Sequence, residues 1–254
     1  ILTVAGLGAC DGSPTGSGDA ASLSLGFRSV TSGTATSASA SSPDGMHVSP
    51  SVQATGDNGT LTLESVFLVV DEFKAEVGEG DCAEQAAEDS CARFEAEPFF
   101  LDVPLDVEGD GESETEIVTT VPVPVGSYSN FKFEVKEPGS DLLAEIRDPG
   151  GHAVEDWPEG ASVLVEGDFE GEPFRAYFSG EVKVELPIDP PLEVEDEASS
   201  EGVTVVLNPQ TWFTNDHGTV DDLTQFDFDP ETGEPVTKLE VKFLEGFEKI
   251  EVNE

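Results

Sequence analysis

The sequence predicts an all-β chain: an antiparallel β-sandwich of about nine strands, with one short helical, disulfide-closed loop. Three observations lead there. Apolar and polar residues alternate with a period of two through most of the chain. Turn-forming Gly, Pro, Asp and Asn interrupt that alternation at short intervals. Helical composition is confined to "CAEQAAEDSCARF", which is too short to build a helical layer.

In order along the chain, "SLSLGFRSV" (22–30) sets Leu23, Leu25 and Phe27 against polar neighbours, as a strand does. Residues 31–50 are rich in Ser, Thr and Ala and read as a linker. "TLTLESVFLVVDEFKAEV" (60–77) is a long apolar run with β-branched and aromatic residues. "PFFLDVPLDV" (98–107) and "TEIVTTVPVPV" (115–125) flank the turn-like "EGDGES", and "YSNFKFEVK" (128–136) alternates cleanly. "ASVLVEGDF" and "FRAYFSG", separated by "EGEP", read as a hairpin. "EVKVELPI" (181–188), "GVTVVLN" (202–208) and "TKLEVKFL" (237–244) complete the strands.

The 254 residues carry 54 acidic and 11 basic side chains, for a formal charge of −43. Such a field repels nucleic acid and anionic lipid surfaces, so neither is an expected partner. With 37% hydrophobic residues and 16 Phe, the chain has the apolar content of a folded body rather than of a disordered acidic tail. Residues 1–58 hold only Asp11, Asp19, Asp44 and Asp57, with Arg28 as their one cation. The other 50 acidic residues fall in 59–254. On roughly 9,000 Å² of surface they stand about 14 Å apart. Screening reaches about 10 Å at 0.1 M salt and about 3 Å at 1 M, so these charges repel one another in dilute buffer and barely do in concentrated salt. The acidic, lysine-poor surface resembles that of proteins from salt-adapted microbes.

The stretch "LTVAGLGAC" is too short to span a bilayer and reads as the end of a secretory signal. Its last residues, Leu7-Gly8-Ala9-Cys10, resemble the lipobox of bacterial lipoproteins. The resemblance implies a diacylglycerol on Cys10, with the protein exported and anchored to the cell envelope, on its periplasmic face or at the cell surface. "DGSPTGSGDAAS" then has the composition of a flexible tether. The expected organisation is therefore 1–9 signal remnant, 10–58 lipidated Cys and tether with a strand at 22–30, and 59–254 acidic β-sandwich domain. Three Cys is an odd count, and lipidating Cys10 leaves Cys82 and Cys91 as a pair. Their separation suits a disulfide in an exported protein, with a loop-closure contribution of roughly 2.5–3 kcal/mol.

"VPVGSYSNFKFEVKEP" (123–138), "VEGDFEGEPFRAYF" (165–178), "LNPQTWF" (207–213) and "LESVFLVVDEF" resemble a group of uncharacterised bacterial lipoproteins with a β-rich domain of unknown function. That resemblance implies fold and location and supplies no chemistry.

Candidate sites are few. "DVEGDGESETE" (106–116) begins like a calcium loop, with Asp106, Glu108 and Asp110 before Gly111, and Glu112 after it. Position twelve is Ile117 rather than the bidentate Glu, and a solvated hairpin tip is the plainer reading. "FDFDPETGEP" offers Asp227, Asp229 and Glu231, and "WFTNDHGTVDD" gathers Asn215, Asp216, His217, Asp221 and Asp222 in what reads as a polar turn beside Trp212. "GEGDCA" (78–83) imitates a nucleotide loop, but Glu79 and Asp81 would repel phosphates. No G-x-S-x-G elbow or H-E-x-x-H motif occurs, and with so many carboxylates no acidic pair stands out. Trp157, Trp212, Tyr128 and Tyr177 could stack on sugars, but read first as core and corner residues. The expectation is a non-enzymatic envelope protein that binds or scaffolds an extracellular or periplasmic protein or glycan. Its alternatives are a calcium-stabilised adhesin or surface-assembly subunit, and a secreted carboxylate-dependent hydrolase, for example of glycosides.

Overall fold

A computed structural model describes residues 21–31, 51–77, 93–107, 112–123, 125–148, 154–195, 200–233, 236–238 and 241–253. It is all-β, with thirteen strands among the described residues. These are β1 (Ala21–Ser29), β2 (Val52–Gly56), β3 (Gly59–Val77), β4 (Arg93–Ala96), β5 (Phe99–Asp102), β6 (Glu116–Val123) and β7 (Gly126–Val135), then β8 (Val163–Phe169), β9 (Glu172–Ser179), β10 (Val182–Val194), β11 (Ser200–Leu207), β12 (Val236–Lys238) and β13 (Phe247–Asn253). Helix α1 (Ser140–Ile146) and the single turn α2 (Pro209–Trp212) lie between them.

The strands form two sheets. One runs β13-β11-β1-β6 and the other β10-β7-β3-β8-β9-β12, with β2, β4 and β5 also pairing to β3. Both are mixed, which corrects the antiparallel expectation: β1 runs parallel to β11 and β12 runs parallel to β9. The count also exceeds nine, because β2 and β4, of five and four residues, are too short to show a clear alternation, and β13 was not foreseen.

β3 is the spine of the larger sheet. Its nineteen residues pair with β2, β8, β5, β4 and β7 in turn, and its register shifts at Leu63/Ser65, Val70/Glu72 and Glu76/Val77. Such bulges let one long strand bend and serve several partners. Leu61, Leu63, Val66, Leu68, Val70 and Phe73 face the main core, whereas Val69 faces a second cluster on the other side of the sheet. Burial on both faces explains why "VFLVV" (66–70) is continuously apolar rather than alternating.

The main core lies between the sheets. Leu23, Leu25, Phe27, Val203, Val205 and Leu207 of the smaller sheet meet Leu68, Phe73, Phe131 and Phe133 of the larger. The Phe27 and Phe133 rings are 6.3 Å apart edge to face, and Phe133 and Phe247 are 5.0 Å apart. Each such side chain contributes about 1.5–3 kcal/mol by leaving water. Two strands of this fold, β1 and β2, precede Gly59, where the sequence reading began the acidic domain. β1 is an interior strand between β11 and β6, with Leu23, Leu25 and Phe27 fully buried. On its outer face Ser24 meets Thr120 at 3.0 Å, and Arg28 pairs with Glu112 and with Glu251 at 2.6 Å.

Two other expectations change. Segments 98–107 and 115–125 do not pair with each other. β5 joins β3 in the larger sheet and β6 joins β1 in the smaller, so the chain crosses between sheets there. Segment 237–244 is strand only through Lys238, and a 3-10 turn (Val241–Gly246) follows. Residues 82–92 of "CAEQAAEDSCARF", with the Cys82–Cys91 pair, lie outside the described residues, and its last two, Arg93 and Phe94, open strand β4 rather than a helix; α1 was not foreseen. α1 covers the second cluster, where Ile146 and the partly buried Leu142 and Leu143 pack with Trp157, Leu164, Tyr177 and Phe228.

Candidate functional site

β11 ends at Leu207 and leads into α2, where Pro209 opens the turn and Trp212 closes it. The following residues form a hairpin, with Thr214 bridging Val220 and Gly218 at φ +76°. Asn215 Oδ1 accepts from the backbone N–H of His217 at 3.0 Å and of Thr219 at 3.2 Å. Asn58 clamps this hairpin to the β2–β3 turn: its Nδ2 donates to Val220 O at 2.7 Å and its Oδ1 accepts from Val220 N at 2.9 Å. Asp222 then caps a 3-10 turn (Leu223–Phe226) by accepting from Thr224 N at 3.1 Å and Thr224 Oγ1 at 2.5 Å.

These segments, β12 and the 241–246 turn enclose a cleft of about 330 Å³. Five aromatic rings line it: Phe178, Trp212, Phe213, Phe226 and Phe243. Leu223, Asp221, Asp222, Gln225, Thr237 and Lys238 complete the lining. Trp212 is 3% exposed and stacks on Phe243 with centroids 4.3 Å apart and planes 25° apart. Gly246 lies so close beneath the indole that a Cβ there would fall 1.6 Å from Nε1. The volume falls at the lower end of the range for small-molecule sites, and the mixture of rings with a few polar groups is their usual chemistry.

The electrostatics of the cleft centre on Asp222. Hydrogen bonds from the Thr224 hydroxyl, from Gln225 and from the Thr224 backbone hold its carboxyl below the usual range, so it stays ionised. None of those donors carries a charge, and no cationic side chain pairs with Asp222 among the described residues. Several cations elsewhere are matched to acids. Lys136 bonds Asp71 at 2.6 Å and Glu134 at 3.3 Å, Lys183 bonds Glu134 at 3.1 Å, and Arg175 bonds Glu166 at 2.5 Å and Asp156 at 2.8 Å. Burial disfavours the charged form of Glu134, but the bonds from Lys183 and Lys136 outweigh it and its carboxyl titrates low. Tyr177 is pushed up, first by burial and then by the negative charge of Asp156.

The calcium-like set is not assembled within the described residues. Asp106 is exposed, Glu112 is held by Arg28, and Glu108 and Asp110 lie outside the described residues. No group of three or more His, Cys, Asp or Glu able to hold a metal occurs among the described residues. Asp227 Oδ1 accepts from Arg175 N at 2.9 Å, and Asp229 Oδ1 from Glu231 N at 2.8 Å, so both fix backbone. Cys10, Cys82 and Cys91 lie outside the described residues. Trp157, Tyr128 and Tyr177 are fully buried, the indole of Trp157 donating to Ala161 O at 3.1 Å. Of the four Trp and Tyr residues, Trp212 alone lines the cleft. From the sequence it reads as a core or corner residue. The missed signal is the density of aromatic residues in "TWF", "LTQFDF" and "KFLEGF", three segments brought together only in the fold.

No family model matches the chain, and no curated protein matches it. Among solved structures, MbnP from Methylosinus trichosporium is similar at 13% identity, over 73% of this chain and 75% of that chain, with a TM-score of 0.38.

Proposed function

We propose that this chain is a non-enzymatic, lipid-anchored cell-envelope protein whose acidic β-sandwich binds a small ligand in the aromatic cleft. The observation that carries the binding reading is the cleft itself: five rings and an ionised carboxylate around about 330 Å³.

The anchor rests on the lipobox-like Leu7-Gly8-Ala9-Cys10. Between Cys10 and Ala21 lie residues 11–20, a tether that reaches at most about 36 Å when fully extended. β1 and β11 run in parallel register from Ser22↔Ser200 to Ser29↔Leu207, a length of roughly 23 Å. The chain leaves β11 at its far end and enters the cleft at Trp212. A lipid on Cys10 would tether the domain through the Ala21 end of β1, whereas the chain reaches the cleft from the Leu207 end of β11. No helix among the described residues is long and apolar enough to cross a membrane. The acidic coat keeps the domain off an anionic surface and matches it to a salty medium.

Detergent-phase partitioning of the native protein from its own cells, beside a Cys10→Ser variant, tests the anchor. The native protein should partition with detergent and the variant with water. Equal partitioning of the two would remove the lipid from the proposal.

A further inference from the structure

The charge of the cleft narrows what it accepts. Asp222 is ionised and bonded only to neutral donors, and Asp221 lies beside it in the lining. Among the described residues Lys238 is the one cation that borders the cleft, beside two carboxylates and five aromatic rings. Within that lining Asp222 is bonded only to neutral donors, so the balance of charge is negative.

We infer that it takes a small organic cation, one apolar or aromatic body with a single ammonium group. This rests on the binding reading above. The ammonium sits against Asp222 and Asp221, and the body against Trp212, Phe213, Phe226 and Phe243. Three effects act in the same direction. The carboxylate of Asp222 gains the charged partner that it lacks among the described residues. A cation near Trp and Phe faces is attracted by the ring quadrupoles, Trp most strongly. The −43 field concentrates cations around the whole molecule. The volume suits a small molecule.

Calorimetric titration of the full chain with 2-phenylethylammonium, 2-phenylethanol and 3-phenylpropanoate separates charge from shape. The titrations run at 1 M NaCl, where screening acts beyond about 3 Å, so that a contact pair survives and the global field does not. The ammonium should bind about fivefold to tenfold more tightly than the alcohol, with the carboxylate weakest. Asp222→Asn keeps a capping side chain and removes the charge, so it should abolish the preference while leaving the alcohol's affinity unchanged. Phe226→Ala should weaken the ammonium and the alcohol together. If Asp222→Asn lowers the melting temperature, Asp221→Asn provides the same charge test without touching the cap. Equal affinity for alcohol and ammonium would overturn the cation assignment and leave the cleft as a binding site. Binding of none of the three, or binding indifferent to Phe226→Ala, would overturn the cleft reading itself.

Discussion

Gly246→Ala tests how tightly the cleft wall is built. A Cβ at that position would stand 1.6 Å from Trp212 Nε1, 2.2 Å from Cδ1 and 2.5 Å from Cε2. Ordinary contact begins near 3.4 Å, so the indole must retreat by about 1.8 Å. It has little room to do so, being 3% exposed and stacked 4.3 Å from Phe243, with Phe247 at 5.7 Å on a tilted approach. Overpacking of this kind costs about 1–3 kcal/mol. With a urea m-value of about 2 kcal/mol/M, the unfolding midpoint should fall by about 0.5–1.5 M at fixed salt. Tryptophan emission should change as well, because the displaced ring opens toward the cleft, whereas Trp157 reports a separate cluster and stays as it was. Adding Trp212→Phe should restore part of the loss, a positive coupling between contacting residues. An unchanged midpoint together with an unchanged spectrum would refute the packed indole and, with it, the shape assigned to the cleft.

Gly167→Ala should be more damaging still. Its Cβ would fall 1.9 Å from the Thr62 carbonyl oxygen, a backbone atom that cannot turn aside, so the β3–β8 pairing must open; a loss at or above about 3 kcal/mol is expected by chemical denaturation. Glu134 sets part of the acid limit. Its folded carboxyl titrates below the usual value of about 4.3, so its stabilisation is complete above that value and is lost as pH falls through the folded pKa. Glu134→Gln should therefore be less stable than the native chain at neutral pH, with the gap closing below about pH 4 in a series of melts; a gap that widens there would contradict the sign. The melting temperature should climb steeply between 0.1 and 1 M NaCl and then level off, and KCl should act alike. A flat response would disconnect the acidic surface from salt.

What the sequence disclosed was local. The alternation of "YSNFKFEVK" marks β7, and the "EGEP" turn marks the β8–β9 hairpin, where Glu170 at φ +53° and Gly171 at φ +84° supply the reversal. Both signals lie within a few residues of what they determine. The parallel pairing of β1 with β11 joins residues about 180 apart, and no local pattern carries it. β1 was legible as a strand, yet the Ser/Thr/Ala-rich stretch after it concealed that Leu23, Leu25 and Phe27 belong to the main core. The helix α1 was missed because its seven residues, "SDLLAEI", follow Pro and Gly and span less than two clear periods. The cleft was illegible for a related reason. Phe178, Trp212, Phe226 and Phe243 sit on four segments, each of which reads singly as ordinary core. Asp222 looked like one acid among 54; only its neutral hydrogen-bond partners set it apart.

The measurement that bears most directly on the binding claim uses the chain's two tryptophans. Each gives one indole N–H resonance in a ¹⁵N-labelled sample, and the two are assigned by Trp212→Phe. Trp157 is held by Ala161 O in the second cluster and does not line the cleft. On addition of 2-phenylethylammonium at 1 M NaCl, the Trp212 resonance should shift and saturate while that of Trp157 stays in place. A Trp157 shift with a silent Trp212, or no saturable shift of either, would contradict a ligand site in this cleft.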